Sequence, residues 1–211
     1  MRVLVVGASQ GTGALAVKTA LDAGHDVTAF ARNPAKLVLE HARLTRAAGD
    51  FHQKTSVVEA VKGHDAVIIT ASATSLKGFK EQPRYFSLGT GYVVDGMKAA
   101  GVRRLVVLSA FGAGDSKDQA GWFLRTFVVG MILRLPFEDH DRQEAMVRES
   151  GLDWVIARPG RLTDGPARRR YVRATGSDPV PASISRADVA DFLVESCTSS
   201  THLGKAVQLG G

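Results

Sequence analysis

Cysteine is nearly missing from this 211-residue chain: Cys197 stands alone, which excludes an internal disulfide and suits a reducing cytoplasm. No apolar run of the roughly 18 residues needed to cross a bilayer occurs, so no membrane-spanning helix or membrane partner is expected. The sequence opens directly into a strand-like run, without the pattern of a cleavable leader. Charge of one sign is not in great excess. Lys and Arg number 27 against 21 Asp and Glu, and the balance of +6 suits small anionic ligands. It is too mild, without a nucleic-acid motif, to imply DNA or RNA as a partner. The six histidines do not pair with one another or with Cys197 at ligand spacing, so no metal site is expected. There is neither a G-x-S-x-G nucleophile elbow nor a G-x-x-x-x-G-K-[ST] loop. Linkers, repeats and low-complexity segments are also lacking. An apolar share of 45% and this length fit one globular domain over residues 1–211.

What is present begins with MRVLVVGASQGTG. Residues 3–6 are apolar and β-branched, as in a strand buried on both faces. Gly7, Gly11 and Gly13 punctuate a polar turn, and residues 14–23 read as a helix. Strand, glycine turn and helix together form the phosphate-binding start of a dinucleotide fold. Glycine lets the backbone approach a pyrophosphate, and the helix start turns unpaired N–H groups toward it. Ser9, Gln10 and Thr12 add side-chain donors.

Further strands are expected at residues 27–31, 43–48, 66–70, 105–109, 154–157 and 206–209. Helices are expected at 34–39, 55–61 (capped by Thr55 or Ser56, with Glu59 in its first turn), 87–100, 139–150 and 186–196. This alternation calls for an α/β fold of Rossmann type: a doubly wound parallel sheet in strand order 3-2-1-4-5-6, with one more strand at the C-terminal end. Two stretches interrupt it. Residues 112–137 are greasy, with Arg125 and Arg134 on opposite helical faces, and read either as a core helix or as a lid or subunit contact. Residues 164–181 are irregular and basic and read as a solvated charge run, with an anion-binding substrate loop as the alternative.

Ligands of such sheets bind at the carboxyl ends of the strands. The residues gathered there are the turn from Gly7 to Gly13, Arg32, Asp50, Phe51, Ala71, Ser72, Ala73, Ser109, Ala110, Pro159 and Gly160. Arg32 ends the second strand, where NAD-preferring folds place an acid for the ribose 2′-OH. An arginine there suits a 2′-phosphate and so NADPH. Asp26 starts that strand, at the wrong end of the sheet, and Asp50 fits the adenine better.

GASQGTG, TAFARNP, GDF, DAVIIT, AAGVRRLVVLSA, EDHDRQEAMVRESGLDW, ARPGRL and ISRADVADF, in this order, resemble the atypical short-chain dehydrogenases with an NmrA-like NAD(P)H-binding domain. Within these the chain is most similar to the biliverdin IXβ reductases, also known as flavin reductases. The resemblance implies an NADPH-dependent reductase whose small-molecule substrate is a flavin, a tetrapyrrole or a quinone-like acceptor, with the substrate site formed by the C-terminal segments. It also implies catalytic roles for Ser109, beside the nicotinamide, and for His140. On the residues alone, His140 reads as a surface histidine at a helix start. A monomer or weak homodimer is expected.

Three departures stand out. Gln10 holds a place where those reductases usually carry glycine, and Arg158-Pro159-Gly160-Arg161 stands where they carry a histidine. No Tyr-x-x-x-Lys pair exists, since Tyr85, Tyr92 and Tyr171 are not followed by lysine four positions on. The usual proton donor of alcohol dehydrogenation is therefore missing, which also disfavours sugar-nucleotide epimerisation. A planar conjugated acceptor needs no such donor, because the proton can come from water. The alternative is an NmrA-like protein that senses NAD(P) without turnover.

Overall fold

A computed structural model describes residues 1–72, 82–114 and 134–211. The first strand, β1 (Arg2–Val6), is buried from Val3 onward and lies third from one edge of an eight-stranded sheet. Its neighbours are β2 (Asp26–Ala31) and β4 (Ala66–Ile69), both parallel to it. Beyond β2 lies β3 (Leu44–Ala48). On the other side follow β5 (Arg104–Leu108), β6 (Asp153–Pro159), β10 (Lys205–Gly210) and β8 (Val172–Ala174). The order β3-β2-β1-β4-β5-β6-β10-β8 is the doubly wound arrangement expected, with β10 as the added strand. The central strands are apolar on both faces because helices cover both.

Helices α1 (Gly11–Asp22) and α5 (Arg186–Thr198) pack together on one face. On the other face α2 (Lys54–Val61) packs against α3 (Tyr85–Ala100), and α3 against α4 (Arg134–Glu149). Two separate apolar cores result. One lies under α1 and α5 around Val5, Val17, Val106 and Phe192, the other under α2, α3 and α4 around Leu4, Ile69, Met97 and Leu105.

Several local expectations are corrected. Residues 34–39 form only a 3-10 turn over Pro34–Lys36. Helix α2 begins at Lys54, so Gln53 is its N-cap, and neither Thr55 nor Ser56 caps it. Its first turn carries no acid, which moves Glu59 past it. Ser56 instead donates to the Asp50 and Gln53 carbonyls. Helix α4 includes Arg134, five residues earlier than expected, so His140 lies well inside it. The stretch at 164–181 is not wholly irregular, because β8 pairs antiparallel with β10 there. Two of its arginines are engaged: Arg173 holds Glu195 through two bonds of 2.7 and 2.6 Å, and Arg169 lies 3.1 Å from Asp191. Two short strands, β7 (Arg161–Thr163) and β9 (Ser183–Ser185), escaped the sequence reading and pair with each other. Ala73 and the greater part of the greasy 112–137 stretch lie outside the described residues.

One contact links the later helices. The N-cap residue of α3, Arg84, makes no side-chain capping bond. The buried carboxylate of Asp139, from α4, accepts from the Phe86 and Ser87 amides and from the Ser87 hydroxyl.

Candidate active site

A cleft of about 810 Å³ opens at the carboxyl ends of β1, β2 and β4. Its floor is the glycine turn. Gly7 has φ of +88°, and a Cβ there would come within 2.6 Å of the Ala71 nitrogen. Gly13 faces away from the cleft and serves packing. A Cβ on it would lie 2.2 Å from the Gly7 carbonyl oxygen and 2.6 Å from Thr70 Oγ1, so glycine is what lets α1 start this close to β1 and β4. Gln10 is the N-cap of α1 in extended conformation, and among the described residues no side chain caps the helix start. The first amides of α1 are thus left for a ligand anion.

Ser9, Gln10, Gly11 and Thr12 line the cleft with Gly7, and Arg32, Asp50, Phe51, Ala71 and Ser72 line it further along. Arg32 and Lys36 are exposed and form no ion pair among the described residues, which leaves two cations at the end of β2 for a ligand. Asp50 accepts from the His52 amide at 2.9 Å. His52 Nε2 lies 2.9 Å from the Tyr85 carbonyl, and the Tyr85 hydroxyl donates to the Ser72 carbonyl at 3.2 Å. Burial raises the Tyr85 pKa, so this phenol stays protonated. The donor set and the space over Gly7 fit a dinucleotide: glycine amides for the diphosphate, Arg32 and Lys36 for the adenosine end, and Phe51 with Tyr85 as apolar walls.

The sequence reading missed Phe30, Ala31, Asn33, Lys36, Gly49, Thr70, Tyr85, Leu108, Leu162, Asp164 and Arg186 as cleft residues. Ala31, Asn33, Gly49 and Thr70 adjoin residues already marked, so counting one position to either side of each strand end finds these four, while Phe30 and Lys36 lie farther off. Leu162, Asp164 and Arg186 arrive with β7 and α5; Leu162 and Arg186 lie inside the ARPGRL and ISRADVADF segments, but nothing in those segments signals a place in the cleft.

Ser109, His140 and Pro159 do not line the cleft. Pro159 is buried at the end of β6, and its carbonyl accepts from the Phe111 amide at 2.9 Å, holding the turn after Ser109. Ser109 is buried and donates to Glu144 Oε1 at 2.7 Å. Arg158 clamps the same carboxylate through Nε at 2.9 Å and Nη2 at 2.5 Å, and Arg148 adds a bond of 3.0 Å. Four donors fill the acceptor positions of Glu144. Its burial alone would raise its pKa, but Arg158, Ser109 and Arg148 together hold it below the usual value. Glu144 is therefore a saturated anion and no proton acceptor. Because the Ser109 proton points to Glu144, only oxygen lone pairs remain for any other partner.

His140 is buried, which corrects the surface placement. Its ring stacks on Phe86 with centroids 3.9 Å apart, and Nδ1 lies 2.9 Å from Gln143 Oε1. Gln143 passes the chain on to Thr90 at 2.9 Å. Burial lowers the His140 pKa and outweighs the nearby carboxylates, so the ring is neutral. Among the described residues no His, Cys, Asp and Glu cluster could hold a metal ion, and no helix is long and apolar enough to cross a membrane.

Comparison with known proteins agrees with this geometry. A family model described as NAD(P)H-binding matches residues 7–200. The sterol demethylase protein B of Methylococcus capsulatus is 29% identical over 180 residues, which cover 79% of this chain and 52% of that protein. The chain thus spans about half of that relative's length. Among solved structures, the anaerobilin reductase ChuY of Escherichia coli O157:H7 superposes with a TM-score of 0.80 at 23% identity, covering 100% of this chain and 97% of the other. A short-chain dehydrogenase/reductase of Veillonella parvula in complex with NADP gives 0.83 at 16% identity, covering 100% and 94%. At these identities the two structures attest the fold. The family match runs from the first glycine of the turn to residue 200, nearly the whole chain, and this protein therefore belongs to the NAD(P)H-binding family.

Proposed function

We propose that the protein is an NADPH-dependent reductase that delivers hydride to a planar conjugated acceptor, with flavin the first candidate and a biliverdin-like tetrapyrrole or a quinone next. The observation that carries this reading is the Ser109–Glu144–Arg158 arrangement. It fixes one hydroxyl beside the end of β5 in a single orientation and supplies no acid. Bound NADPH would supply the hydride. Ser109 would accept a hydrogen bond from the nicotinamide carboxamide or from a ring N–H of the acceptor, which orients the partners without moving a proton. A conjugated acceptor takes its proton from water, in agreement with the missing Tyr-x-x-x-Lys pair. Arg32 favours the 2′-phosphate cofactor, because its guanidinium has no partner among the described residues and stands where an acid would bind a ribose hydroxyl.

Mixing the purified protein with NADPH and FMN and following absorbance at 340 nm tests this. Flavin-dependent loss of NADPH is expected. A second reading, a cofactor sensor without turnover, draws support from the placement of Ser109 and His140 away from the cleft wall. It replaces the first if NADPH binds tightly and is oxidised with no flavin, tetrapyrrole or quinone.

A further inference from the structure

We propose that Arg186 is a positioning residue for the cofactor diphosphate, held beforehand by Asp164 and transferred to the phosphates when the dinucleotide enters. This rests on the reading that the cleft takes NAD(P)H.

The side chain is already where the phosphates would go. Arg186 is the first residue of α5, which packs along α1, and both helices begin at the cleft. A Cβ built on Gly11 would meet one group within 4 Å, the Arg186 Nε at 4.0 Å. The guanidinium stem thus crosses the open, uncapped start of α1. Two helix N-termini, Arg32 and Lys36 add to the positive potential there. Among the described residues two carboxylates line the cleft, Asp50 and Asp164.

Asp164 is a weak partner by its surroundings. Its Oδ1 lies 2.8 Å from Arg186 Nη1, yet its side chain is 93% exposed, against 31% for Arg186. An ion pair so open to water contributes little to stability. A diphosphate offers more: several anionic oxygens, a forked geometry that guanidinium matches, and the α1 amides on its other side. Exchange of Asp164 for phosphate leaves Arg186 paired in both states. Asp164 returns to water almost without loss, since it scarcely left it. Asp164 therefore has two effects. It keeps Arg186 over the glycine turn in the free protein, and it competes with the incoming anion.

A structural ion pair and a competing one respond differently to mutation. If the pair merely supported the fold, loss of either partner would change cofactor affinity in the same direction. If Asp164 competes with the diphosphate, Arg186→Ala weakens binding and Asp164→Asn strengthens it. Neither change disturbs the start of α5, whose cap is the Ser185 hydroxyl, accepting from the Asp188 amide at 3.0 Å.

The test is calorimetric titration of the intact protein with NADPH, ADP-ribose and adenosine 2′-monophosphate, the last lacking a diphosphate. Arg186→Ala is expected to raise Kd about ten- to thirtyfold for the first two ligands and less than about twofold for the third. Arg186→Lys, which keeps the charge but not the fork, recovers part of the loss. Asp164→Asn lowers Kd by about two- to fivefold for NADPH and ADP-ribose. Equal affinity of wild type and Arg186→Ala for ADP-ribose overturns the proposal while leaving the cofactor reading intact, as do shifts of the same sign in both variants. Failure of the wild type to bind any of the three ligands overturns the cofactor reading, and the proposal with it.

Discussion

Arg32 and Arg158 are the same residue type at the ends of two strands of one sheet, and they are treated in opposite ways. Arg158 is buried under a carboxylate that is itself fully buried, and the pair shares its bonds with Ser109 and Arg148. Arg32 is exposed beside an open cleft, with no ion pair among the described residues. The first is committed to holding β5, β6 and α4 together, and the second is left for a ligand. A charge in a fold of this kind is informative about function when the fold does not consume it.

The largest effect should come from the buried side of this contrast. Glu144→Gln removes the buried negative charge that Arg158, Arg148 and Ser109 share, and should destabilise the protein by about 3–5 kcal/mol in chemical denaturation. Replacing both partners, Arg158→Met with Glu144→Leu, should recover most of that loss. If the single variant costs under about 1 kcal/mol, the cluster is not the structural centre described above. On the open side, Arg32→Ala should leave stability unchanged. It should weaken NADPH binding by about 2 kcal/mol, roughly thirtyfold, with NADH affected far less. Equal affinities of the wild type for the two cofactors would refute the assignment of Arg32 to the 2′-phosphate.

Ser109 lies between the two regimes, since its proton serves the buried cluster and its lone pairs are available. Ser109→Ala should slow flavin reduction about ten- to thirtyfold, or about 1–2 kcal/mol, with NADPH affinity nearly unchanged. A drop beyond about a thousandfold would give it an obligatory chemical role. The smallest effect concerns His140. Its folded pKa lies below the free value of 6.5, so protonation favours the unfolded chain. Stability from this residue is present above pH 6.5 and declines as pH falls below it. His140→Gln should reduce the loss of stability between pH 7 and pH 5.5 without abolishing it, because His25, His64 and His202 are shifted in the same direction. An unchanged slope would mean that His140 takes up its proton as readily when folded as when unfolded. Glu144 acts lower on the scale. Its carboxylate is held below 4.5, and its contribution is lost only as pH falls through that lowered value.

The order of the sheet was legible because parallel strands buried on both faces write long apolar runs, as at Val3–Val6 and residues 66–70. The glycine turn was legible because a left-handed backbone and a close helix start both require glycine: Gly7 has a positive φ, and a Cβ on Gly13 would collide with the Gly7 carbonyl oxygen. What escaped was set by contacts distant in sequence. The strands β7 and β9 are three residues each, too short for any periodicity, yet they bring Asp164 and Arg186 to the cleft. The burial of His140 comes from Phe86, 54 positions earlier, while three flanking acids made it look like a surface residue. Arg158 read as a departure from a family pattern. Its partner Glu144 gave no sign, since a helix with alternating charges hides which of them turns inward.

The Asp139 cap on α3 has a kinetic meaning. A helix whose first amides depend on a carboxylate 53 and 52 residues downstream cannot close its own first turn until α4 has docked. Fraying of α3 and departure of α4 should then be one event, and hydrogen exchange at the Phe86 and Ser87 amides should report it. Since α4 also carries Glu144, the same opening would release Ser109 and Arg158. The slow amides at the start of one helix thus become a clock for the integrity of the buried cluster on the far side of the next.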